Sequence, residues 1–451
     1  SHKINEKYIF SLSSALQTSR TYIRESDPNS KYSADTSLRT TFDLNGYAIN
    51  KFNDHLLINS SIYQVVQGDI DNKTTPTIFP FLTYDTGKDK YKNIEYSNSY
   101  QLYNIFREKN TAAHAQKQIK VSHFISANKE IYYAKSKINF ETQIHNQYFD
   151  TENKKIGTED VSSNYYRFFP MTGITIDTPI KHIRSEILIN PKLTAIINSP
   201  QSNSNRISNE VSTNNNVSIS NQRSLNRYGG TDKLDNSQRI SYGFEISRKR
   251  LSLSALQNYE FSKNSNYHWG TTSQQHYLSD AHGNITYGGD KNSAGYNVTY
   301  DVHLDSVKSQ SLSYTHEDFT GLYEFTYLDT KKITNDILEN DSEILNYSFK
   351  SKKFKKYSTF NIKGSYDMRI DNPKEYSLGY NYYDECFGIN LGLSRKEYND
   401  DQIKPTHTLT LLFAFKNLGS YASTNLAVSE LDKQDIEWEA GDIDNTLFYQ
   451  E

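Results

Sequence analysis

The feature that most constrains this chain is a two-residue alternation of apolar and polar side chains that recurs along most of its length. Between residues 296 and 304, Tyr, Val and Leu occupy every second position, and Asn, Thr, Asp and His stand between them. The pattern recurs at 138–145, 376–382 and 387–394. A period of two indicates β-strands with one apolar and one polar face. We count roughly 18–20 such segments, each about 9–12 residues long, the length of a tilted membrane strand.

The composition argues against a disordered chain and against a helical membrane protein. Only 35% of the residues are hydrophobic, yet 13% are aromatic, 36 of them Tyr, and disordered chains are poor in aromatics. No stretch approaches the roughly 18–20 apolar residues of a membrane helix. The single helix candidate, 333–344, is short and polar. If strands of this kind span a membrane, they do so as a closed barrel, because its backbone hydrogen bonds are then all satisfied.

A soluble β-sandwich also has one apolar face, so other features must separate it from a membrane barrel. The number of strands in one series, the Tyr residues at strand ends and long polar loops such as 200–226 favour the barrel. We therefore predict an all-β fold, a large antiparallel transmembrane β-barrel over residues 1–420. An acidic tail is predicted for 421–451. A soluble adhesin remains the alternative fold.

The chain shows no pattern typical of an enzyme, a metal site or a cofactor site. Its net charge of -3 gives no indication of a nucleic-acid partner. The 12 His residues are scattered, and the single cysteine, Cys386, excludes a Cys-based zinc site. The acidic stretches 68–72 and 441–445 are interpreted as turns. The basic run 352–356 is either a solvated loop or a contact for anionic head groups.

The segment 224–243 resembles the signature loop of the lipopolysaccharide-assembly family LptD, also called OstA or Imp. The matching residues are Asn226, Arg227, Tyr228, Gly230, Asp232, Arg239, Tyr242 and Gly243. On local chemistry, Asp232 is expected to pair with Arg227 or Arg239. The stretches 382–389, with Cys386, and 411–420 resemble the family's penultimate and closing strands, and 76–80 resembles a proline-flanked segment of the same barrel.

The resemblance implies a translocon of the Gram-negative outer membrane. It would move lipopolysaccharide from a periplasmic bridge through a polar lumen and a lateral gate into the outer leaflet. The gate strand would present Leu409, Leu411, Phe413 and Phe415. The implied partners are an LptE-like lipoprotein plug, an LptA-like periplasmic bridge, lipopolysaccharide and membrane lipid.

The family also has features that this chain does not show. Its barrels reach roughly 26 strands and carry an N-terminal periplasmic jellyroll, so the resemblance implies that the jellyroll and the first strands are missing here. Cys386 matches a family position that forms an interdomain disulfide, and its partner would then lie outside this chain.

Two other functions of an outer-membrane barrel remain open on sequence grounds. A general porin or uptake channel requires a folded-in constriction loop with clustered charges and, usually, an aromatic last residue. The ending Tyr449-Gln450-Glu451 fits the second expectation poorly. A hydrolase barrel requires a Ser/His or Asp/His pair at one rim. No sequence motif selects the hydrolase, and the uptake channel is the alternative to the translocon.

Overall fold

The computed structural model describes residues 2–19, 22–23, 35–50, 53–66, 70–212, 217–262, 277–334, 337–355, 357–384, 386–396, 406–415 and 419–422. These residues form one antiparallel sheet of 24 strands. Its strands are β1 (His2–Lys3), β2 (Tyr8–Ser13), β3 (Ser37–Tyr47), β4 (His55–Val65), β5 (Thr77–Asp85), β6 (Asp89–Tyr91), β7 (Ile94–Phe106), β8 (Lys117–Tyr133), β9 (Ser136–Ile156), β10 (Glu159–Asp177), β11 (Ile180–His182), β12 (Ile187–Asn198), β13 (Gln238–Arg248), β14 (Leu251–Glu260), β15 (Ala281–Gly288), β16 (Asn292–Asp301), β17 (Ser306–Glu317), β18 (Gly321–Thr334), β19 (Ile337–Ser351), β20 (Ser358–Asp367), β21 (Asn372–Tyr383), β22 (Phe387–Lys396), β23 (Thr406–Phe415) and β24 (Gly419–Ala422). A 3-10 helix, Asn72–Thr74, lies between β4 and β5.

The strands follow one another in the sheet in chain order, as a meander. The short strands β6 and β11 are local additions: β5 and β10 also pair directly with β7 and β12. The strands β8, β9 and β10 are the longest, with 17, 21 and 19 residues. A two-residue turn joins β8 to β9, and its residues Ala134 and Lys135 both have positive φ, 47° and 68°. Such a turn matches the right-handed twist of the strands it connects.

The two faces of the sheet differ in chemistry. On β10, Arg167, Phe169 and Met171 are buried, whereas Tyr166 and Phe168 between them are 65% and 47% exposed. A similar alternation occurs on other strands, and the exposed apolar face includes Leu193, Tyr242, Leu312, Tyr347 and Leu391. A large sheet with exposed aromatic and aliphatic rows on one side is the arrangement that lipid contact requires. In the described part of the chain, no helix has the length and apolar character needed to cross a membrane.

The two edges of the sheet differ in the length of their connections. Turns such as 134–135 and 249–250 lie at one edge, which we call the short-turn edge. The long connections 107–116 and 199–237, the second described except for 213–216, leave the opposite edge, which we call the long-loop edge. In outer-membrane barrels, short turns face the periplasm and long loops face the exterior.

The prediction of an all-β, antiparallel fold is confirmed. The helix candidate 333–344 is wrong, because its described residues belong to the adjacent antiparallel strands β18 and β19. Most residues at this end of the hairpin are polar, so the sequence shows no alternation of apolar and polar residues there. The acidic tail predicted for 421–451 lies outside the described residues from position 423 onwards.

Candidate functional site

The connection between β12 and β13, residues 199–237, folds back over the polar face of the sheet. We call it the covering segment, and all of it except 213–216 is described. It contacts side chains of β8, β9, β10, β12 and β14, so one connection reaches across several strands. Its buried residues include charged side chains, which need partners in order to leave water.

A group of two arginines and two carboxylates joins the end of the covering segment to β13 and β14. We call Arg227, Arg239, Asp235 and Glu260 the arginine–carboxylate cluster. The Asp235 carboxylate accepts hydrogen bonds from Arg227 Nε at 2.7 Å and from Arg239 Nη1 at 3.2 Å. Glu260 accepts from Arg227 Nη2 at 2.9 Å and from the Ser237 hydroxyl at 2.7 Å. All four charged side chains are at most 1% exposed, so the cluster is buried and its charges balance.

A second buried ion pair holds the middle of the covering segment against β8. Lys120 Nζ lies 2.7 Å from Asp232 Oδ1 and 2.6 Å from the Thr231 hydroxyl. The other oxygen of Asp232 accepts from the backbone amides of Glu210 and Val211 at 2.8 and 2.9 Å. The single carboxylate therefore ties two parts of the segment to one strand.

Further polar contacts fix the remainder of the segment. Arg167 of β10 donates to Gln147 Oε1 and to the Thr231 carbonyl oxygen, the latter at 3.0 Å. Arg107, in the neighbouring connection 107–116, makes two hydrogen bonds to Glu210, at 3.0 and 2.6 Å. The side chains of the Arg107–Glu210 pair are only 2% and 3% exposed. The docked conformation is thus specified by charges as well as by shape.

A small apolar cluster supplements the ion pairs. It contains Phe169, Met171, Ile196, Leu225 and Leu234, each at most 3% exposed. Leu225 and Leu234 come from the covering segment, and the other three come from β10 and β12. Gly173 of β10 provides space for Leu225, because a Cβ at position 173 would lie 2.8 Å from Leu225 Cδ2.

The charge state of Asp235 follows from its neighbours. Burial alone raises the pKa of this carboxyl, but the guanidinium groups of Arg227 and Arg239 outweigh burial and hold the pKa below its ordinary value. Asp235 is therefore ionised at neutral pH, and the cluster carries two positive and two negative charges. A cluster of this kind stabilises one position of the segment without leaving a net charge beneath it.

The structure brings together most of the residues of the loop motif, but their ion pairs differ from the predicted ones. Arg227 and Arg239 pair with Asp235, and Asp232 pairs with Lys120, so the predicted pairing of Asp232 with either arginine is wrong. The Asn226 side chain accepts from the amides of Tyr228 and Asp235. The remaining motif residues are two glycines and two tyrosines.

These four residues have distinct environments. Gly230 has φ +77°, and a Cβ there would lie 2.0 Å from the Val211 carbonyl oxygen. Gly243 lies in β13, and a Cβ added there would lie 2.0 Å from the Ala255 carbonyl oxygen. Tyr228 is buried in the segment, whereas Tyr242 is 40% exposed on the apolar face.

The partners of the motif, notably Lys120, Arg167 and Glu260, were not predicted from the sequence. Their signal was present but weak: each is a charged residue on the polar row of a strand. In the part of the chain that the structure describes, no three His, Cys, Asp or Glu side chains are grouped to hold a metal ion.

The residues predicted for a lateral gate lie on β23. Leu409 and Phe415 are 67% and 42% exposed on its apolar side, and β24 pairs with β23 over residues 412–415. Cys386 is exposed, with a free thiol, in the turn between β21 and β22 at the short-turn edge. A gate at β23 and a disulfide from Cys386 to a residue outside this chain stay predictions.

No family model and no curated protein matches the chain. Among solved structures, the siderophore receptor PirA of Acinetobacter baumannii is similar at 8% identity over 92% of this chain and 75% of its own, with a TM-score of 0.43. A variant of the ferric enterobactin receptor PfeA of Pseudomonas aeruginosa matches at 8% identity, 90% and 72% coverage, and a TM-score of 0.42. The alcaligin receptor FauA of Bordetella pertussis matches at 10% identity, 84% and 69% coverage, and a TM-score of 0.35.

These findings correct the family assignment made from the loop motif. The three similar structures named above are a siderophore receptor, a ferric enterobactin receptor and an alcaligin outer-membrane receptor, not lipopolysaccharide-assembly barrels. The assignment to the LptD family is therefore wrong, and so are the predicted lipopolysaccharide translocation and the LptE-like and LptA-like partners. The physical reason for the error is visible in the site: the motif residues pair and pack the covering segment, a structural task that implies no particular cargo.

The predicted location is confirmed. The sheet exposes apolar rows on one face and buries paired charges on the other, as a membrane-spanning antiparallel sheet must. The chain is a protein of the Gram-negative outer membrane.

Proposed function

We propose that the sheet closes into a barrel and that the chain is an uptake channel for hydrophilic solutes, with the covering segment as its constriction. The observation that carries the proposal is the docking of residues 199–237 on the polar face by buried ion pairs. A barrel of this size has a polar interior, and a loop folded against the inner wall narrows it. The buried charges of this segment support the proposal, because a constriction loop with clustered charges is typical of such channels.

The direction of the segment agrees with uptake from the exterior. The covering segment leaves the long-loop edge, which faces outside in outer-membrane barrels. A solute arriving from outside would meet the segment before the lumen. Passage through such a channel makes and breaks no bond, so we propose transport without catalysis.

The test is conductance of the purified full chain in planar lipid bilayers. We expect small, ion-conducting steps from the unaltered protein. In a variant with residues 200–236 replaced by a short Gly/Ser turn, we expect clearly larger steps. The design is feasible because Ile197 and Gln238 already face each other across β12 and β13.

A matched control replaces the exposed turn 289–291 at the short-turn edge with a Gly/Ser turn of the same length. Its conductance should equal that of the unaltered protein. The proposal fails if neither the unaltered chain nor the 200–236 replacement conducts, or if both conduct equally while the replacement still folds into heat-resistant barrels.

A further inference from the structure

A row of neutral polar residues crosses the polar face of the sheet from β15 to β20. Its members face one another from strand to strand in the antiparallel register. We call it the neutral row, and it consists of Thr286, Gly295, Ser313, Thr326, Asn346 and Ser365. Neighbouring strands lie about 4.8 Å apart, so the row is about 24 Å long. The sheet therefore presents a continuous strip of hydroxyl and amide groups that carries no formal charge.

The polar groups of the neutral row are open to a solute. Thr286, Ser313, Thr326 and Asn346 are exposed, and within the described part of the chain the side chains of Thr286, Thr326 and Asn346 have no hydrogen-bond partner. The Ser313 hydroxyl lies 3.4 Å from the Gly295 carbonyl oxygen, which is long for a hydrogen bond. A Cβ at Gly295 would lie 2.8 Å from the Ser313 hydroxyl oxygen. Glycine at this position therefore keeps that hydroxyl accessible.

The two rows beside the neutral row contain little charge. Over β15–β19, where every member of these rows is described, Glu324 is the one charged residue, and its carboxylate accepts a hydrogen bond from the Ser348 hydroxyl at 2.8 Å. Where the rows reach β20, Lys363 and Asp367 each pair with an opposite charge on β21, at 3.9 and 3.0 Å. An ion that left water for the neutral row would find no opposite charge there to replace its hydration.

Two apolar side chains stand on the polar face directly beside the neutral row. Leu328 and Ile344 oppose each other across β18 and β19, two residues along these strands from Thr326 and Asn346. Leu328 is 36% exposed, so its surface is accessible next to the row. Sugars and other cyclic polyols combine hydroxyl edges with an apolar C–H face. The neutral row and the Leu328–Ile344 pair match these two kinds of surface.

We propose that the neutral row and the adjoining Leu328–Ile344 pair bind an uncharged, polyhydroxylated solute, such as an oligosaccharide, along the channel wall. This substrate class rests on the proposed uptake function, whereas binding itself is measured without transport. Hydroxyl groups of the solute exchange hydrogen bonds with water for hydrogen bonds with Thr326, Asn346 and the other members of the row. Each exchange contributes little, so the affinity comes from several of them together.

The experiment is a ligand-detected NMR titration of the purified full chain in a detergent without a sugar head group. The probes are maltotriose, its aldonic acid maltotrionic acid, which carries a carboxylate, and a polyethylene glycol of similar mass, which is neutral but has few hydroxyls. We expect maltotriose to bind at least about tenfold more tightly than either of the others. The acid must give up hydration of its charge, and the glycol lacks hydrogen-bond donors along its chain.

Two variants test the assignment of residues. Thr326→Val combined with Asn346→Leu removes a hydroxyl and an amide with little change in volume, and Leu328→Ser removes the apolar surface. Each variant should weaken maltotriose binding about tenfold. The control is Thr408→Val on the polar face of β23, four strands away from β19, which should bind as the unaltered protein does. Heat-resistant migration and an unchanged β-sheet circular dichroism spectrum show that each variant is folded.

Four results would overturn the site: no binding of maltotriose, equal binding of the acid or the glycol, unchanged binding in both variants, or an equal loss in Thr408→Val. These outcomes are separate from failure of the channel. A chain that binds maltotriose without conducting ions refutes the uptake channel and keeps the site, and a conducting chain that does not bind maltotriose refutes the site alone.

Discussion

Replacing Asp235 by Asn should release the covering segment from the sheet while leaving the strands intact. In the unaltered protein, Arg227 and Arg239 face the two carboxylates Asp235 and Glu260, all buried. The amide keeps the shape of the side chain but removes its charge, so two guanidinium groups share one carboxylate. Leaving one buried charge unpaired costs about 3–5 kcal/mol. At 1.4 kcal/mol for each factor of ten, the docking equilibrium shifts about a hundredfold to a few thousandfold.

Limited proteolysis measures this shift at a defined bond. The peptide bond after Arg227 is buried in the docked segment and becomes a trypsin site only when the segment leaves the sheet. When opening is fast relative to cleavage, the cleavage rate follows the open population. Mass spectrometry should therefore show that trypsin cleaves after Arg227 at least about a hundredfold faster in Asp235→Asn than in the unaltered protein. The increase is smaller only if the segment is already fully open in the variant, which sets an upper limit to the rate.

The control for charge removal is Asp290→Asn. Asp290 pairs with Arg250 at 2.5 Å, but the two side chains are 83% and 50% exposed. Water and salt screen such a pair, so cleavage after Arg227 should not change. Equal protection of Arg227 in Asp235→Asn and in the unaltered protein would refute the argument that the cluster holds the segment.

Three further predictions concern acid, packing and lipid contact. Because the pKa of Asp235 is held below its ordinary value of about 4, its contribution to docking is complete above that value and is lost as the pH falls through the lowered pKa. Pepsin cleavage within the segment should rise only at the acid end of a titration, and an identical rise in Asp235→Asn would contradict this. Gly173→Val should displace Leu225 and reduce the free energy of docking of the segment by about 1–3 kcal/mol, measured by the same trypsin assay. Unchanged protection from trypsin would contradict the packing of Leu225 against Gly173. Leu391→Arg, on the apolar face, should destabilise the folded protein in lipid vesicles by about 2–4 kcal/mol, as measured by urea titration. Ser394→Arg, on the polar face of the same strand, should not destabilise it. Equal losses of stability in the two variants would contradict the assignment of faces.

The strands were predictable because their information is local. The alternation at 376–382 and 387–394 lies within β21 and β22, and that at 296–304 lies in β16 up to residue 301 and in the following turn beyond it. Most residues at 333–344 are polar, so no period of two is visible in the sequence, and the stretch was considered as a helix candidate although its described residues belong to β18 and β19. An isolated polar stretch does not reveal its strand partner.

The site was less predictable because its partners are far apart in sequence. Asp232 and Lys120 are separated by 112 residues, and Arg227 and Glu260 by 33. Within the segment, composition alone indicated a solvated loop, since Asn, Ser and charged residues are typical of loops. Burial of those charges depends on opposite charges on β8, β13 and β14, which no local pattern supplies.

The chemistry of the contact determines how the covering segment can move. Among its described residues, Leu225 and Leu234 join the apolar cluster with β10 and β12, and Ile207 and Tyr228 are also buried, whereas its ionic contacts extend along its length. A plug held mainly by apolar burial would expose that surface to water on leaving. Here, the separated guanidinium and carboxylate groups regain hydration when they meet water, which offsets much of the loss of pairing. Ionic docking therefore gives a segment that is held in one position when docked and can still leave the sheet, which is what the proposed constriction would need in order to admit solutes.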